Sequence, residues 1–309
     1  MKTVQKHWYD RLKKDVIRDK WLYIMLLPGM VYFLVFKYGA MYGLIIAFMD
    51  YNPFRGIGGS PFVGLENFAR LFSEPTFMTL FRNTLILAIY NILFYFPMPI
   101  ILALLLNEIR SRKFKNCVQT LIYIPHFISW PVVVSICYLL FTPSDGMINQ
   151  ILISAGMSPI NPLMEASAFR PMVILQQIWK ESGWGTIIFL AALSGVNVEL
   201  YEAATIDGAN RFHQLIYITI PEIKGVIVTM LILRMGTFMD SGFEQIYLML
   251  NSLNRSVGEV FDTYVYTTGL INGQFSYSTA VGMFKSIISL GMVIIANTVA
   301  KRLGEEGVY

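Results

Sequence analysis

An all-α integral membrane protein with six transmembrane helices is what the sequence predicts, and three observations carry the prediction. Of 309 residues, 55% are hydrophobic and only 14% charged, where a soluble domain carries roughly 25% charged and 45–50% apolar residues. The mean hydropathy is +0.54. The apolar residues also fall into long runs of the roughly 20 residues that a helix needs to cross a bilayer core about 30 Å thick. The shortage of charge excludes disorder, a nucleic-acid binder built on basic patches, and an ordinary cytosolic enzyme.

The first predicted span runs from Trp21 to about Asp50 and is broken only by Lys37. The second, Asn83 to Asn107, and the third, about Cys117 to Phe141, contain no Lys, Arg, Asp or Glu. The fourth, about Arg170 to Val196, is interrupted by Lys180-Glu181. The fifth, about Gly225 to Leu250, holds Arg234, Asp240 and Glu244, and the sixth, about Tyr277 to Ala300, holds Lys285. Cys117 and Cys137 stand too far apart along one helix to bond, and His7, His126 and His213 show no ligand spacing, so no metal site is indicated.

The net charge of +4 matters through its placement. Lys2, Lys6, Arg11, Lys13, Lys14, Arg18 and Lys20 precede the first span. Arg110, Arg112, Lys113 and Lys115 follow the second, and Lys301 and Arg302 follow the sixth. The opposite face offers Arg55, Arg70 and Arg255, with Arg82 and Arg170 at its edges. The positive-inside rule then puts both termini in the cytoplasm. Residues 1–20 form a basic tail in which Tyr9, Leu12 and Val16 share a helical face, suited either to the inner membrane surface or to solvent. Residues 21–304 form the six-span domain, and 305–309 a second cytoplasmic tail. In the extracytoplasmic loop, residues 51–79, Leu65, Phe68 and Phe72 repeat at helical spacing between Pro61 and Pro75 and predict an interfacial helix. The first apolar run is too long for a secretory signal, and no cleavage site follows it.

No catalytic group is indicated. GxxxxGK[ST], GxSxG, HExxH and CxxC patterns are all missing from the sequence. Passage of a solute is the remaining class. The cytoplasmic loop at residues 197–224 is the best-patterned segment. Asn197 suits an N-cap and Glu199 the first turn, while Gly208 can end the helix in the left-handed conformation. A second short helix, Arg211 to about Tyr217, is expected to stop before Pro221. Ala203 and Ala204 leave a bare face that another protein's groove could approach, flanked by Glu202 and Asp207. A loop that merely joins two spans fits this pattern as well.

The run Glu202-Ala203-Ala204, three residues, Gly208, nine residues, then Ile218-Thr219-Ile220-Pro221 resembles the EAA loop of ABC-importer permeases, with Ile220 where leucine is usual. Resemblance to the sugar-permease branch, of the maltose type and more closely the oligosaccharide or polysaccharide permeases, extends over nearly the whole chain. It includes Gly64 to Phe68, Asn83-Thr84, Tyr123-Ile-Pro125, Trp179 to Trp184, Gly242 to Ile246, Phe261 to Tyr264 and Gly304 to Gly307. The resemblance implies the bundle of a type I permease in a bacterial cell membrane. This subunit would form half of the pathway of a binding-protein-dependent oligosaccharide importer. Its implied partners are a second, homologous permease, most simply as a heterodimer, a dimer of ABC ATPases, and an extracytoplasmic solute-binding protein. The chain itself would hold no cofactor, ATP and Mg²⁺ belonging to the partner ATPase. By the same resemblance Glu202, Ala203, Ala204, Asp207, Gly208 and Pro221 couple to that ATPase, and ATPase closure rocks the spans about a mid-membrane site.

Ionisable residues at membrane depth usually face an interior or a wet cavity. Asp240 and Glu244 would share one face of the fifth span, where like charges need an answering group. Lys180, Glu181 and Lys285 would reach the same outer half, and some of these groups are expected to pair. Trp179, Trp184, Phe238 and Phe243 offer faces for sugar rings. The expected substrate pathway is thus Trp179, Lys180, Glu181, Trp184, Asp240, Phe243, Glu244, Gln245 and Lys285, against a purely structural ion-pair network as the other reading. Arg234, nearer the cytoplasm, is expected to be structural. Two rival functions stand beside the permease. A self-sufficient secondary transporter or channel would need internal repeats or an ion relay. A membrane-embedded enzyme would use Asp240 and Glu244.

Overall fold

The computed structural model describes residues 18–304 and 307. The expected surface helix around Tyr9, Leu12 and Val16 and most of the 305–309 tail lie outside the described residues. The chain divides into two compact units, Met1–Asn67 and Phe68–Tyr309.

In the first unit, α1 (Lys20–Phe48) is a single apolar helix long enough to cross a membrane. It passes through a π segment, Phe33–Tyr38, that carries Lys37. Its first 13 residues bury no side chain, as expected of a helix solvated by lipid on all sides. After it the Asn67 amide donates to the carbonyls of Ala47 (2.9 Å) and Met49 (3.1 Å), and Met49 pairs with Phe62 in an isolated antiparallel bridge.

The predicted interfacial helix is α2 (Glu66–Ser73), which buries Leu71. Next come α3 (Phe77–Asn107), α4 (Arg112–Phe127), α5 (Trp130–Phe141) and α6 (Met147–Ser154), then α7 (Ala166–Ser194), α8 (Val198–Ile206) and α9 (Arg211–Gly236). The chain finishes with α10 (Phe243–Met249), α11 (Phe261–Val265, continued by a π segment at Tyr266–Ile271) and α12 (Phe275–Arg302). Among the described residues four helices, α1, α3, α9 and α12, are each long and apolar enough to cross a membrane. The bent pairs α4–α5 and α7–α8 bring the number to six.

Two predicted spans are corrected. The third is not one helix. Its halves meet at 99° because Pro125 and Pro131 bracket an extended Ile128-Ser129, where a continuous ladder of hydrogen bonds cannot form. The fifth spans Arg211–Gly236, not Gly225–Leu250. The expected stop before Pro221 does not occur. A π segment at Leu215–Thr219 precedes it, so Pro221 enters the next helical turn at a position where no N–H is needed. Asp240 and Glu244 consequently do not share a helical face: the helix ends at Gly236 and resumes at Phe243.

The core runs along α3. At one end Leu80 packs with Met235 of α9, Met239 just beyond its end, Phe261 of α11 and Tyr277 of α12. Midway Leu87 meets Val134, Phe169, Val173, Ile246 and Met249. At the other end Ala103 packs with Phe189, Leu193 and Ile223 of α7 and α9. Buried amides close the loops on the side away from α8. Asn149 donates to Phe141, Thr142 and Ile160 carbonyls, and Asn251 and Asn254 both donate to Leu163.

Candidate functional site

Helix α8 stands out from the bundle. Its N-terminus is capped by Asn197, whose Oδ1 accepts the Glu199 N–H at 3.0 Å. Its C-terminus closes with the Ala209 N–H on the Ala204 carbonyl (2.9 Å) and the Gly208 N–H on Thr205 (3.1 Å). This paired closure needs a left-handed residue at its turn, and Gly208 supplies it at φ +79°. Asn210 then caps α9 by accepting the His213 N–H at 2.9 Å. The predicted cap Asn197 and the glycine are therefore where the spacing put them, and Asn210 adds a cap that the sequence reading did not name. Glu202, Ala203, Asp207 and Gly208 are exposed, Ala204 half-buried. Ile206 is 88% exposed, an aliphatic side chain held in water beside the alanine face.

Helix α8 is locked to the bundle from behind. The hydroxyls of Tyr201 and Thr219 lie 2.9 Å apart, and the Gln214 amide donates to Thr205 Oγ1 at 2.9 Å. Arg211 pairs with Glu108, beyond the end of α3, at 2.5 Å. Between α8 and the α3 terminus lies an open cleft of about 700 Å³, edged by Glu108, Arg110, Tyr201 and Arg211. Pro221 is exposed, about three turns into the continuous helix α9. Side-chain bonds thus tie α8 to α9 on both sides of the turn.

A second cluster forms where α4 breaks against the middle of α7. A broken helix leaves carbonyls without partners. The Lys180 ammonium answers one by donating to His126 O at 2.8 Å, and it donates to Glu181 Oε1 at 2.9 Å. Glu181 also meets His126 Nδ1 at 2.7 Å, and the His126 ring stacks on Trp184 at 4.5 Å. Lys180 lies 5.3 Å from the Trp130 ring centre. The backbone of Ile122 rests directly on Gly183, a contact no larger residue admits. With 14 residues of α7 on either side, Lys180 sits at its midpoint, not in the outer half. Trp184 and Trp179 are exposed.

A third cluster lies between the end of α9 and α12. Lys285 bonds Asp240 at 2.5 Å and also Asp262, and Asp262 accepts the Ser241 N–H at 3.1 Å. Asp240 borders an open groove of about 290 Å³ with Lys285, Ser286 and Ser289. On its other side it borders a small cavity with Asn91, Gln177 and Arg234, with about 10 Å³ of free space, room for roughly one water. Arg234 is tied to Asn91 at 2.8 Å, and Asn91 to Gln177 at 2.7 Å. Phe243, Tyr247 and Tyr266 form a ring cluster with centroid separations of 5.0–5.4 Å. Glu244 is exposed beside it. Gln245 is buried instead, donating to Val173 O and Gln176 Oε1 at 2.9 and 2.8 Å.

The predicted charges therefore do not converge. Lys180 and Glu181 pair in one cluster, Asp240 and Lys285 in another. Sequence reasoning missed His126, whose signal was an isolated histidine in an otherwise uncharged span between two prolines. It also missed Asp262 as the second partner of Lys285.

Residues 95–305 match the family described as binding-protein-dependent transport system inner membrane component. The chain is 56% identical over 305 residues to the polygalacturonan/rhamnogalacturonan transport system permease protein YteP of Bacillus subtilis (strain 168), covering 99% of this chain and 95% of that one. It superposes with a TM-score of 0.88 and 38% identity on a chain of a bacterial alginate ABC transporter crystallised with an alginate pentasaccharide-bound periplasmic protein, over 96% of this chain and 100% of that chain. A second crystal structure, of a bacterial ABC transporter involved in the import of the acidic polysaccharide alginate, matches at a TM-score of 0.87 over 94% and 99% of the two chains.

Proposed function

Because the chain belongs to the family of binding-protein-dependent transport system inner membrane components, and is a multi-pass permease subunit, we propose that it imports oligosaccharide fragments of an acidic polysaccharide, driven by a separate ATPase that seats on α8. The exposed, doubly capped α8 carries this reading: a helix with Ile206 in water beside Ala203 is an unfinished interface. A dimer of ATPases closing on bound ATP and Mg²⁺ pushes on Glu202 to Gly208, and the Tyr201–Thr219 and Arg211–Glu108 contacts pass the push to α9 and α3. The spans then rock as bodies and alternate access to the pathway.

A second, homologous permease completes that pathway, and an extracytoplasmic binding protein delivers the solute. The sugar-facing wall is drawn from Trp179, Trp184, Asp240, Phe243 and Glu244, which are exposed. Aromatic faces stack on the apolar faces of sugar rings, and carboxylates accept their hydroxyls. Lys180, Glu181 and Lys285 hold neighbouring groups in place, and Gln245 braces the wall from within. The family stands against the self-sufficient transporter and the membrane enzyme, neither of which requires α8.

The test is purification of the tagged chain from its own cells in mild detergent, followed by reconstitution into liposomes. Recovery of a second permease and an ATPase, with ATP-dependent uptake of trigalacturonate in the presence of the binding protein, is the expected result. A chain that emerges alone and moves solute without ATP refutes the proposal.

A further inference from the structure

At the end of the bundle opposite α8, spans α3 and α7 present two arginines and no carboxylate to match them. Arg170 Nη2 donates to Asn83 Oδ1 at 2.8 Å, and its Nε to the Val257 carbonyl at 3.2 Å. Both acceptors are neutral, so the guanidinium keeps its full charge. The residue preceding Asn83 is Arg82, exposed and, among the described residues, without a side-chain hydrogen bond or ion pair. Because Arg170 bonds the side chain of Asn83, the residue next to Arg82, the two arginines are neighbours on this surface. The neighbouring carboxylate, Glu259, is engaged by Arg255 at 2.9 Å. Counting about 1.5 Å per residue, Arg82 lies about 8 Å and Arg170 about 6 Å inside the ends of their helices, the depth of lipid headgroups.

Directly beneath lies an apolar groove of about 400 Å³ between the same two spans, lined by Tyr90, Phe94, Pro171, Ile174, Leu175 and Ile178. Pro171, which lines the groove, follows Arg170 in the chain, so the groove begins beside that arginine. Phe94 and Leu175 are more than half exposed.

We propose that this is a binding site for one anionic phospholipid of the outer leaflet, its phosphate held by Arg82 and Arg170 and an acyl chain lying along Tyr90, Phe94 and Leu175. Charge complementarity selects the headgroup and the groove selects the chain. A solute carboxylate satisfies the arginines but leaves the apolar groove empty. Each guanidinium near a membrane surface strengthens binding of anionic lipid by about fivefold. Arg82 is the better probe, since Arg170 also holds Asn83 and Val257.

The experiment is native mass spectrometry of the purified permease complex, equilibrated in micelles containing equal amounts of phosphatidylglycerol and phosphatidylcholine. The wild type should retain phosphatidylglycerol preferentially, Arg82→Gln should lose about fivefold of that preference, and Leu175→Trp should lower retention of both lipids by filling the groove. Equal retention of the two lipids by the wild type overturns the site, as does a preference unchanged in both variants. Trigalacturonate displacing the retained lipid in the wild type but not in Arg82→Gln also overturns it, and assigns the arginines to the solute instead.

Discussion

Replacing Gly208 by valine tests the α8 interface at a single torsion. A Cβ built on Gly208 meets nothing within 4 Å, so crowding by neighbours contributes nothing and the whole cost is backbone strain. At φ +79° an ordinary L-residue is disfavoured by roughly 1–2 kcal/mol, and a β-branched one by up to about 3. Taking about 2 kcal/mol, occupancy of the native turn falls roughly thirtyfold relative to its alternatives. The two closing hydrogen bonds, Ala209 to Ala204 and Gly208 to Thr205, are lost with it. The turn lies outside the buried clusters, so the spans should still insert and pack. The assay is ATP-driven uptake in proteoliposomes, with membrane level and recovery of the ATPase measured in parallel. Gly208→Val should cut uptake at least tenfold and release the ATPase while the second permease stays bound. Gly208→Asn, which tolerates the left-handed region, should retain most activity. Normal uptake by a well-expressed Gly208→Val chain refutes the reasoning.

Three further expectations follow from the charge clusters. Lys180→Met leaves the His126 carbonyl without its donor and Glu181 with His126 alone, at mid-membrane, and should destabilise the chain by about 3 kcal/mol, seen as a lower melting temperature in detergent; adding Glu181→Gln should recover part of that loss, and no recovery means the pair is not coupled. Asp262, whose side chain is 17% exposed, should matter more to stability than Asp240 at 55%. Asp262→Asn is expected to cost about 2–3 kcal/mol and Asp240→Asn under about 1, with Asp240→Asn changing uptake instead; the reverse order removes Asp240 from the pathway. Burial raises the Glu259 carboxyl above its ordinary value of 4.5 despite the Arg255 partner. In the window just above 4.5 the folded state binds more protons than the unfolded one, so this group's contribution to stability falls as pH rises; Glu259→Gln should flatten the dependence of melting on pH in that window, and an unchanged profile assigns it elsewhere.

The loop was legible because its signals are local. Asn197 and Gly208 each act within four residues, and each sits in the predicted conformation. The all-helical membrane class was legible from apolar run length alone. What escaped the sequence depends on tertiary context. Pro221 read as a helix stop, yet the preceding π segment removes the conflict and lets the span continue. The 25-residue run from Cys117 to Phe141 read as one span because hydropathy is blind to direction, and the 99° break at Ile128 leaves the average untouched. Once the fifth span shifts by 14 residues, Asp240 leaves the helix; of the groups expected to pair it takes Lys285 of α12, and Asp262 is the partner that no spacing rule pointed to.

The π segment at Asn91–Tyr95 has a further result for α3. It adds one residue to a turn, so everything beyond it is out of phase with what came before by about 100°. Up to that point the buried stripe is Leu80, Thr84, Leu87 and Asn91, and a uniform helix would carry it on through Met98, Leu102 and Leu105. The buried residues are instead Pro99, Ala103 and Leu106, each one place later, and Leu105 is 61% exposed. One span therefore carries two offset stripes. Its first half meets α9, α11 and α12 through Leu80 and α5, α7 and α10 through Leu87, its second half meets α7 and α9 through Ala103, and the slip lets a single rod keep contact with neighbours that lie on different sides of it.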